Sequence, residues 1–301
     1  MNSCKIKLPL FLLVLLSFWL AKPLKAQVFV GPTAAAMGSA GRAGAEAAEG
    51  VFFNPAVLSH IPMVKMGAFY SSGQPQSGES QQTLAFSLID GNPEAIIPGA
   101  VNYLRRSRDF EAGPAWKEEL WQVSVGQFVL PRWALGASLF RFSAQPEEAW
   151  GGSFSPPESS AQWNGNLGLL YTPRADLGLA LTYHNLLPSS SRVAEEFRLI
   201  PHMGLGANYL LSDFFRLRMD LVKYLDRNPD SRMNVAFGFE SLFSEFFALR
   251  LGSHWDEFRS RHSWTAGLGF RGPRFLLDYS LERHREGGGA VHSVDLRLPF
   301  W

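Results

Sequence analysis

Two adjacent serine–histidine pairs, Ser253-His254 and His262-Ser263, carry the residue types that nucleophilic catalysis needs. A serine becomes a nucleophile when a histidine base lies within hydrogen-bond reach and a third group orients that base. The same two histidines flank Trp255-Asp256-Glu257 and could share a metal ion. No recognised catalytic or metal-binding motif surrounds these residues. We therefore predict neither an enzyme nor a metal site, and a lipid hydrolase is kept only as a third alternative.

Other charged and glycine-rich positions give no stronger sign of chemistry. Gly38, Gly41 and Gly44 lack the preceding strand and the Lys-Ser/Thr ending of a phosphate-binding loop. Glu147-Glu148 and Glu195-Glu196 are adjacent acids in polar stretches, which is typical of solvated charge; binding of divalent ions or surface lipid is the alternative. The chain has 28 Lys+Arg against 27 Asp+Glu, and a net charge of +1 argues against a nucleic-acid partner. We predict no cofactor.

The first 26 residues have the order of a secretory signal peptide. Lys5 and Lys7 give a positive start, an apolar run follows from Leu8 to Leu20, and cleavage is predicted after Ala26. The apolar run is short for a membrane-crossing helix, which needs roughly 20 residues. Cys4 is the one cysteine of the chain and lies in this segment, so the mature protein is expected to lack thiols. We predict export from the cytoplasm.

From about residue 63 onwards, apolar and polar residues alternate with a period of two, which is the signature of β-strands. In residues 275–283, for example, Phe275, Leu277 and Tyr279 alternate with polar side chains. We predict about fourteen strands, or twelve if the poorly alternating third, fourth and fifth segments are not all strands. The predicted segments are residues 64–71, 81–89, 99–105, 118–128, 133–142, 161–172, 177–186, 202–211, 215–224, 232–240, 246–254, 263–271, 275–283 and 290–300.

Connections of two kinds alternate between these segments. Short turns, such as Leu130-Pro131-Arg132 and Gly272-Pro273-Arg274, alternate with longer polar stretches, such as residues 106–117 and 143–160. This layout is typical of an outer-membrane barrel, with turns on the periplasmic side and loops outside. An even number of strands places both termini in the periplasm. A soluble β-sandwich would also alternate, but it would not repeat large aromatic residues on one face of strand after strand.

The polar face of the predicted strands carries charges of both signs. Inside a barrel, we expect these side chains to form ladders of ion pairs. They are Lys65, Arg216, Arg218, Asp220, Arg250, Asp278, Glu282, Asp295 and Arg297.

The segment before the strands resembles a known family. Gly38, Gly41 and Gly44, followed by Phe52-Phe53-Asn54-Pro55-Ala56, resemble the N-terminal hatch of the FadL/TodX long-chain fatty acid transporters. The resemblance implies a fourteen-stranded outer-membrane barrel whose N-terminal segment plugs the lumen. We therefore predict three parts: a signal peptide at 1–26, a hatch at 27–62 with short helices, and a transmembrane β-barrel at 63–301.

The resemblance also implies a function. We expect passive uptake of a hydrophobic small molecule such as a fatty acid, held in an apolar pocket near Phe52 and Phe53. The external loops are shorter than in the typical transporters. A secretion or surface-attachment partner, as in the PorV/PorQ-like members of the same superfamily, is therefore the alternative.

The end of the chain resembles the signal that the barrel assembly machinery reads. Val294, Leu296, Leu298 and Phe300 form an alternating apolar set with Asp295 and Arg297 between them, and Trp301 follows as one extra residue. The expected partners are therefore outer-membrane lipid, a hydrophobic ligand and the assembly machinery.

Overall fold

A computed structural model describes residues 29–44, 49–92, 95–111, 115–146, 160–190, 193, 197–225, 233–257, 260–285 and 289–300. The predicted signal peptide at 1–26 lies outside the described residues. So do both pairs of adjacent acids, Glu147-Glu148 and Glu195-Glu196, and the terminal Trp301.

Fourteen antiparallel strands close into a barrel in which each strand pairs with its neighbours in the chain, and β1 pairs with β14. The predicted all-β barrel of fourteen strands is confirmed, and the alternative of twelve is wrong. The strands are β1 (Val64–Gln76), β2 (Glu79–Asp90), β3 (Gly99–Phe110), β4 (Trp116–Leu130), β5 (Trp133–Pro146), β6 (Ser160–Arg174), β7 (Leu177–His184), β8 (His202–Ser212), β9 (Phe215–Tyr224), β10 (Met233–Phe243), β11 (Phe247–Asp256), β12 (Arg261–Arg271), β13 (Leu276–His284) and β14 (Ala290–Phe300).

The barrel is apolar outside and polar inside. On β2, Phe86 and Leu88 point outward and are 47% and 49% exposed, whereas Ser87 between them points into the lumen and is buried. The lumen holds Arg250, which is only 1% exposed. A soluble sandwich would bury its large apolar residues and expose its charges. An apolar exterior on a closed sheet suits lipid, because closure leaves no unpaired strand edge in the hydrocarbon.

The inward charges form the expected ladder. Arg216 Nη1 and Arg250 Nε contact the two carboxylate oxygens of Glu240 at 2.9 and 2.6 Å. Arg250 also pairs with Asp278, which in turn pairs with Arg297. The prediction is confirmed for these residues, and the ladder joins strands β9, β10, β11, β13 and β14 across the lumen.

The connections match the predicted alternation in part. At the loop end, β1 and β2 are joined by Ser77-Gly78 alone, and the predicted long stretch at 255–262 is reduced to residues 257–260 because β11 and β12 extend into it; at the other end, β2 and β3 are joined by the longer stretch 91–98.

The predicted long loop at 106–117 is wrong, because β3 and β4 extend into it and leave residues 111–115 as the connection. Arg106 and Arg108 in this stretch point into the lumen, whereas Asp109 is exposed on the outer face. Arg106 Nη1 and Arg108 Nε each lie 3.2 Å from an oxygen of Glu118, so ion pairing keeps this stretch in the sheet.

Residues 29–44 and 49–61, called the lumenal segment below, lie inside the barrel. The segment contains helix α1 (Pro32–Ala36), helix α2 (Gly50–Phe53) and a 3-10 helix (Pro55–His60). Its side chains are nearly all buried. These helices are short, and in the described part of the chain no helix has the length and apolar character that a membrane crossing requires.

Candidate functional site

The lumenal segment is fixed to the barrel wall by a buried acid. Asp220 Oδ2 on β9 accepts hydrogen bonds from the backbone N–H groups of Gly41 and Arg42 at 2.8 and 3.1 Å. The same oxygen pairs with Arg42 Nη1 at 3.0 Å. Three donors converge on one carboxylate oxygen, which is the strong, charge-assisted kind of hydrogen bonding. Gly41, one of the predicted hatch residues, therefore lies at the main attachment point.

Asn54 joins two parts of the lumenal segment. Its side-chain Oδ1 accepts a hydrogen bond from Ala56 N at 3.0 Å, which caps the 3-10 helix that Pro55 begins. Its Nδ2 donates to the carbonyl of Arg42 at 3.0 Å. The Asn-Pro-Ala motif thus holds the chain at residue 42 in place, in addition to forming an ordinary turn.

Glycines in the wall make room for this turn. A Cβ atom at Gly168 would overlap Asn54 Oδ1, and one at Gly136 would overlap Ala56 N. The segment's own Gly38 has φ +66 and lies against the carbonyls of Ser253 and Phe237, so both its conformation and its surroundings require glycine. Wall and segment therefore approach each other closely because both lack side chains there.

The other predicted hatch glycine is also in contact with the wall. A Cβ at Gly44 would lie 2.8 Å from Arg218 Cζ. Three strands further along the wall, on β12, Thr265 Oγ1 donates to the Ala36 carbonyl and accepts from Gly38 N, at 3.0 and 2.9 Å. The segment is thus attached to at least two sides of the barrel.

Glu49 is a buried acid inside the segment. Its Oε1 accepts a hydrogen bond from Ala34 N at 2.6 Å, which links α2 to α1. Burial raises the pKa of this carboxyl above its usual range, while Arg297, Arg218 and Arg250 act in the opposite direction. The charge state of Glu49 therefore depends on its burial and on the arginines near it.

An apolar cavity of about 60 Å³ lies between the segment and the loop end of the barrel, which is the end opposite the termini. Phe29 and Phe52 of the segment form one wall, with ring centroids 4.7 Å apart. We call this space the outer apolar cavity. Its further apolar lining is Leu104, Leu120, Phe140, Phe142 and Leu199, and its polar lining is Arg106, Glu118, Gln122, Asn166, His184 and Asn185.

Sequence reasoning missed the wall residues of this cavity, although the sequence carries their signal. Leu104, Leu120, Phe140 and Phe142 point inward, where most strands carry polar residues. With apolar side chains on both faces, β3 to β5 lose their clean alternation. The poor alternation of the third to fifth predicted segments therefore marks the apolar side of the lumen.

A second, polar cavity of about 110 Å³ lies beside the first and shares Phe29 with it. We call it the outer polar cavity. The sequence places Phe52 and Phe53 at one apolar pocket, but the structure separates them. Phe53 lines the polar cavity, with Arg42 Cζ 5.8 Å from its ring centroid, because consecutive residues of α2 point in different directions. The carbonyl of Phe53 contacts His184 Nε2 at 2.8 Å.

A third cavity, of about 360 Å³, lies at the end of the barrel that holds the termini. We call it the inner cavity; Ala43, His60 and Leu170 line it. Arg42 lines the outer polar cavity, whereas the next residue, Ala43, lines the inner one. The backbone at Arg42-Ala43 is therefore a thin partition between the two ends of the lumen.

The serine and histidine residues that could support catalysis do not form a complete site. Ser253 Oγ lies 3.0 Å from His262 Nε2 on the outer surface of the barrel, but no hydrogen bond among the described residues orients the other ring nitrogen of His262. His254 points into the lumen and His262 points outward, so these two cannot share a metal ion. The described part of the chain contains no cluster of metal-binding side chains.

The C-terminal residues predicted as an assembly signal lie on the outer face of β14. Leu296, Leu298 and Phe300 are 41%, 38% and 44% exposed. Asp295 and Arg297 on the same strand point into the lumen. The apolar stripe therefore faces away from the barrel, beside β1.

Comparison with known proteins identifies the fold. No protein-family model and no curated protein matches the sequence. Among solved structures, the CymD monoaromatic hydrocarbon channel superposes with a TM-score of 0.68 at 16% identity, over 92% of this chain and 99% of that chain. A Pseudomonas aeruginosa FadL homologue gives 0.66 at 12%, over 93% and 100%. The fold is that of the FadL/TodX-like barrels.

A third structure agrees with these two. The Pseudomonas putida toluene transporter TodX gives a TM-score of 0.59 at 10% identity, over 93% of this chain and 99% of that chain. The predicted resemblance to the FadL/TodX barrels is thus confirmed for the fold.

Proposed function

We propose that this FadL-like barrel is an outer-membrane channel for passive movement of a small hydrophobic molecule. The outer apolar cavity carries the proposal, because it places apolar side chains where most of the lumen is polar. Phe29 and Phe52 supply its wall from the lumenal segment, which we propose acts as a hatch. CymD and TodX, which share the fold, are described as a monoaromatic hydrocarbon channel and a toluene transporter.

The orientation in the membrane follows from the connections. Outer-membrane barrels carry short turns on the periplasmic side and longer loops outside. The turns at Pro131-Arg132 and Asp213-Phe214 lie at the end that holds the termini. We therefore place that end in the periplasm and the outer apolar cavity towards the cell exterior, with export by the predicted signal peptide at 1–26.

The size of the cavity favours a small ligand over a long acyl chain. An apolar cavity that accepts a benzene ring has a volume of about 150 Å³, whereas this one measures about 60 Å³. Entry of even one aromatic ring therefore requires side chains such as Phe29 or Leu199 to move. A compound of the size of toluene requires less movement of these side chains than a long acyl chain does, and we propose a ligand of this class.

The proposed route continues through the hatch into the periplasm. All fourteen strands are hydrogen-bonded to both neighbours, so the wall offers no ready sideways exit. The partition at Arg42-Ala43, in contrast, separates the outer polar cavity from the inner cavity by one stretch of backbone. A shift of this stretch would join the two spaces without unfolding the barrel.

Ligand binding can be tested by methyl NMR on leucine-labelled barrel in lipid nanodiscs. Toluene should cause saturable shifts at Leu104 and Leu199, and Leu120→Asn should weaken them by about tenfold, because a polar group in an apolar site costs roughly 1–3 kcal/mol. Val291→Asn makes a similar change in the outer polar cavity and should leave the shifts intact. Absence of saturable shifts, together with normal toluene uptake by cells lacking the protein, would refute the proposal.

The outward stripe at the C-terminus is proposed to serve assembly. Leu296, Leu298 and Phe300 present an apolar edge that the barrel assembly machinery could read. Phe300→Ser should lower the amount of folded barrel in the outer membrane, measured by heat-modified migration on gels. An unchanged amount of folded barrel would count against this role.

A further inference from the structure

Aromatic and cationic side chains meet on the outside of the barrel at the loop end of β11 to β13. In the strand register, Trp255 lies opposite His262, and Trp264 lies opposite Arg283. Arg285 lies two residues after Arg283 and beside His262, because its backbone N–H donates to the His262 carbonyl at 2.8 Å. We call these five residues the rim patch.

The rim patch lies at the border between the apolar wall and the loops. Trp255 and Trp264 are 59% and 62% exposed, and their rings flank His262 with centroid distances of 6.2 and 5.2 Å. Below them, Leu251 and Leu268 are exposed on the same face. Tryptophan favours the level of the lipid headgroups, because its ring is apolar and its N–H is polar.

The charge of the rim patch is positive on this face. Arg283 and Arg285 are exposed and point outward. Asp256 on β11 and Glu282 on β13 line the lumen instead. The strand alternation thus separates the cations from the acids and leaves the cations on the side of the lipid.

One of these two cations, Arg285, lines a concavity of about 350 Å³. It is lined by Trp255, Glu257, Ser260, Arg261, His262 and Arg285. Glu257 is the acid among these lining residues, and its Oε2 accepts a hydrogen bond from Met233 N at 3.0 Å. Arg261 of this lining also lines the lumen, and its Nη2 donates to Gln76 Oε1 at 2.6 Å, so Arg285 and His262 are the basic groups that this concavity presents on the outer face.

We propose that the rim patch binds the phosphate group of an anionic lipid in the outer leaflet. Guanidinium groups match phosphate oxygens in charge and geometry. The two tryptophans lie at the level of such a headgroup, and acyl chains would lie along the exposed leucines Leu251 and Leu268. Free phosphate would not use this apolar part of the surface, so we assign the site to lipid.

Native mass spectrometry on the purified full-length mature barrel can test the site. The barrel is titrated with an equal mixture of phosphatidic acid, which carries a phosphate monoester, and phosphatidylcholine. Wild type should retain phosphatidic acid in preference. The double variant Arg283→Gln/Arg285→Gln should lower this retention by about tenfold or more, since each basic residue near a lipid surface contributes on the order of a fivefold effect.

Arg141 provides the matched control. It also points outward between two exposed tryptophans, Trp121 and Trp163, but the next outward positions on its own strand carry Leu139 and Ser143 rather than a second arginine. Arg141→Gln should change phosphatidic acid retention by less than about twofold. The double variant Arg283→Lys/Arg285→Lys keeps the charge and should retain most of the binding, which separates loss of charge from loss of folding.

Two results would overturn the proposal. The first is equal phosphatidic acid retention by wild type and by a folded Arg283→Gln/Arg285→Gln variant. The second is complete displacement of phosphatidic acid by millimolar inorganic phosphate, because the site would then recognise the free ion rather than the lipid.

Discussion

Arg42 of the lumenal segment and Asp220 of β9 form a buried ion pair at the point where the segment separates the outer polar cavity from the inner one. The Nη1–Oδ2 distance is 3.0 Å, and the side chains are 6% and 1% exposed. The same carboxylate oxygen holds the backbone of Gly41 and Arg42. One acid of the wall thus fixes both the side chain and the backbone of the partition.

Asp220→Asn should loosen this partition. Removing one partner of a buried pair leaves an uncompensated charge and costs about 3–5 kcal/mol. We expect frequent openings in planar-bilayer conductance recordings, where wild type stays mostly closed, and a lower midpoint of thermal unfolding. Asp176→Asn is the control, because Asp176 pairs with Arg174 in an exposed turn and such a pair contributes about 0–1 kcal/mol. Equal conductance of Asp220→Asn and wild type would contradict the proposed role of the partition.

Gly168→Ala should disturb the Asn54 turn from the side of the wall. The new Cβ would overlap Asn54 Oδ1, so the cap on Ala56 N and the bond to the Arg42 carbonyl would both weaken. We expect a loss of about 1–3 kcal/mol in unfolding free energy, measured by urea titration in lipid vesicles. Gly99→Ala is a matched control, because its Cβ would meet its nearest atom at 3.7 Å. A similar loss in both variants would show that the effect is not specific to the turn.

The strands could be predicted from the sequence because lipid imposes a local rule. Each outward face must be apolar, so alternation with a period of two recurs in each strand and is visible without knowledge of its partners. The rule fails at the outer end of β3, where the outward residues Arg105, Ser107 and Asp109 are polar and the inward Arg106 and Arg108 are paired with Glu118. A sequence does not distinguish a charge in a lumen from a charge in a loop.

The attachment of the segment could not be predicted in the same way. The Asn-Pro-Ala motif indicates a tight turn near Asn54, which is a local property. The pairing of Gly41 with Asp220, in contrast, joins residues 179 positions apart and depends on how the segment is rotated inside the barrel. The outer apolar cavity likewise combines residues of β3 to β5 with residues of the lumenal segment. No local sequence pattern shows that these distant parts of the chain meet.

Glu49→Gln should change how stability depends on pH. Burial raises the pKa of Glu49 in the folded protein, so the folded state keeps a proton that the unfolded state has released. This carboxyl therefore lowers stability progressively as the pH rises above the ordinary value of 4.5. Glutamine stays neutral and its amide oxygen can still accept the hydrogen bond from Ala34 N.

The difference in unfolding midpoint between Glu49→Gln and wild type should thus be small at pH 4 and should grow in favour of the variant towards pH 8. A constant difference across this pH range would mean that Glu49 does not titrate as burial predicts.

Phe52→Ala should widen the range of ligands that the outer apolar cavity accepts. Phe52 is 4% exposed and forms the wall of the cavity with Phe29, so loss of its ring adds volume where the ligand is proposed to bind. In methyl NMR titrations, naphthalene should gain affinity relative to toluene by at least about tenfold, since filling new apolar space contributes on the order of 1–3 kcal/mol. Phe53→Ala is the control, because it removes a similarly buried ring from the outer polar cavity. Each variant should lose about 3–5 kcal/mol in stability, but Phe53→Ala should not change the preference between naphthalene and toluene. If both variants changed the preference equally, the ligand would not be bound at Phe52 but in the lumen at large.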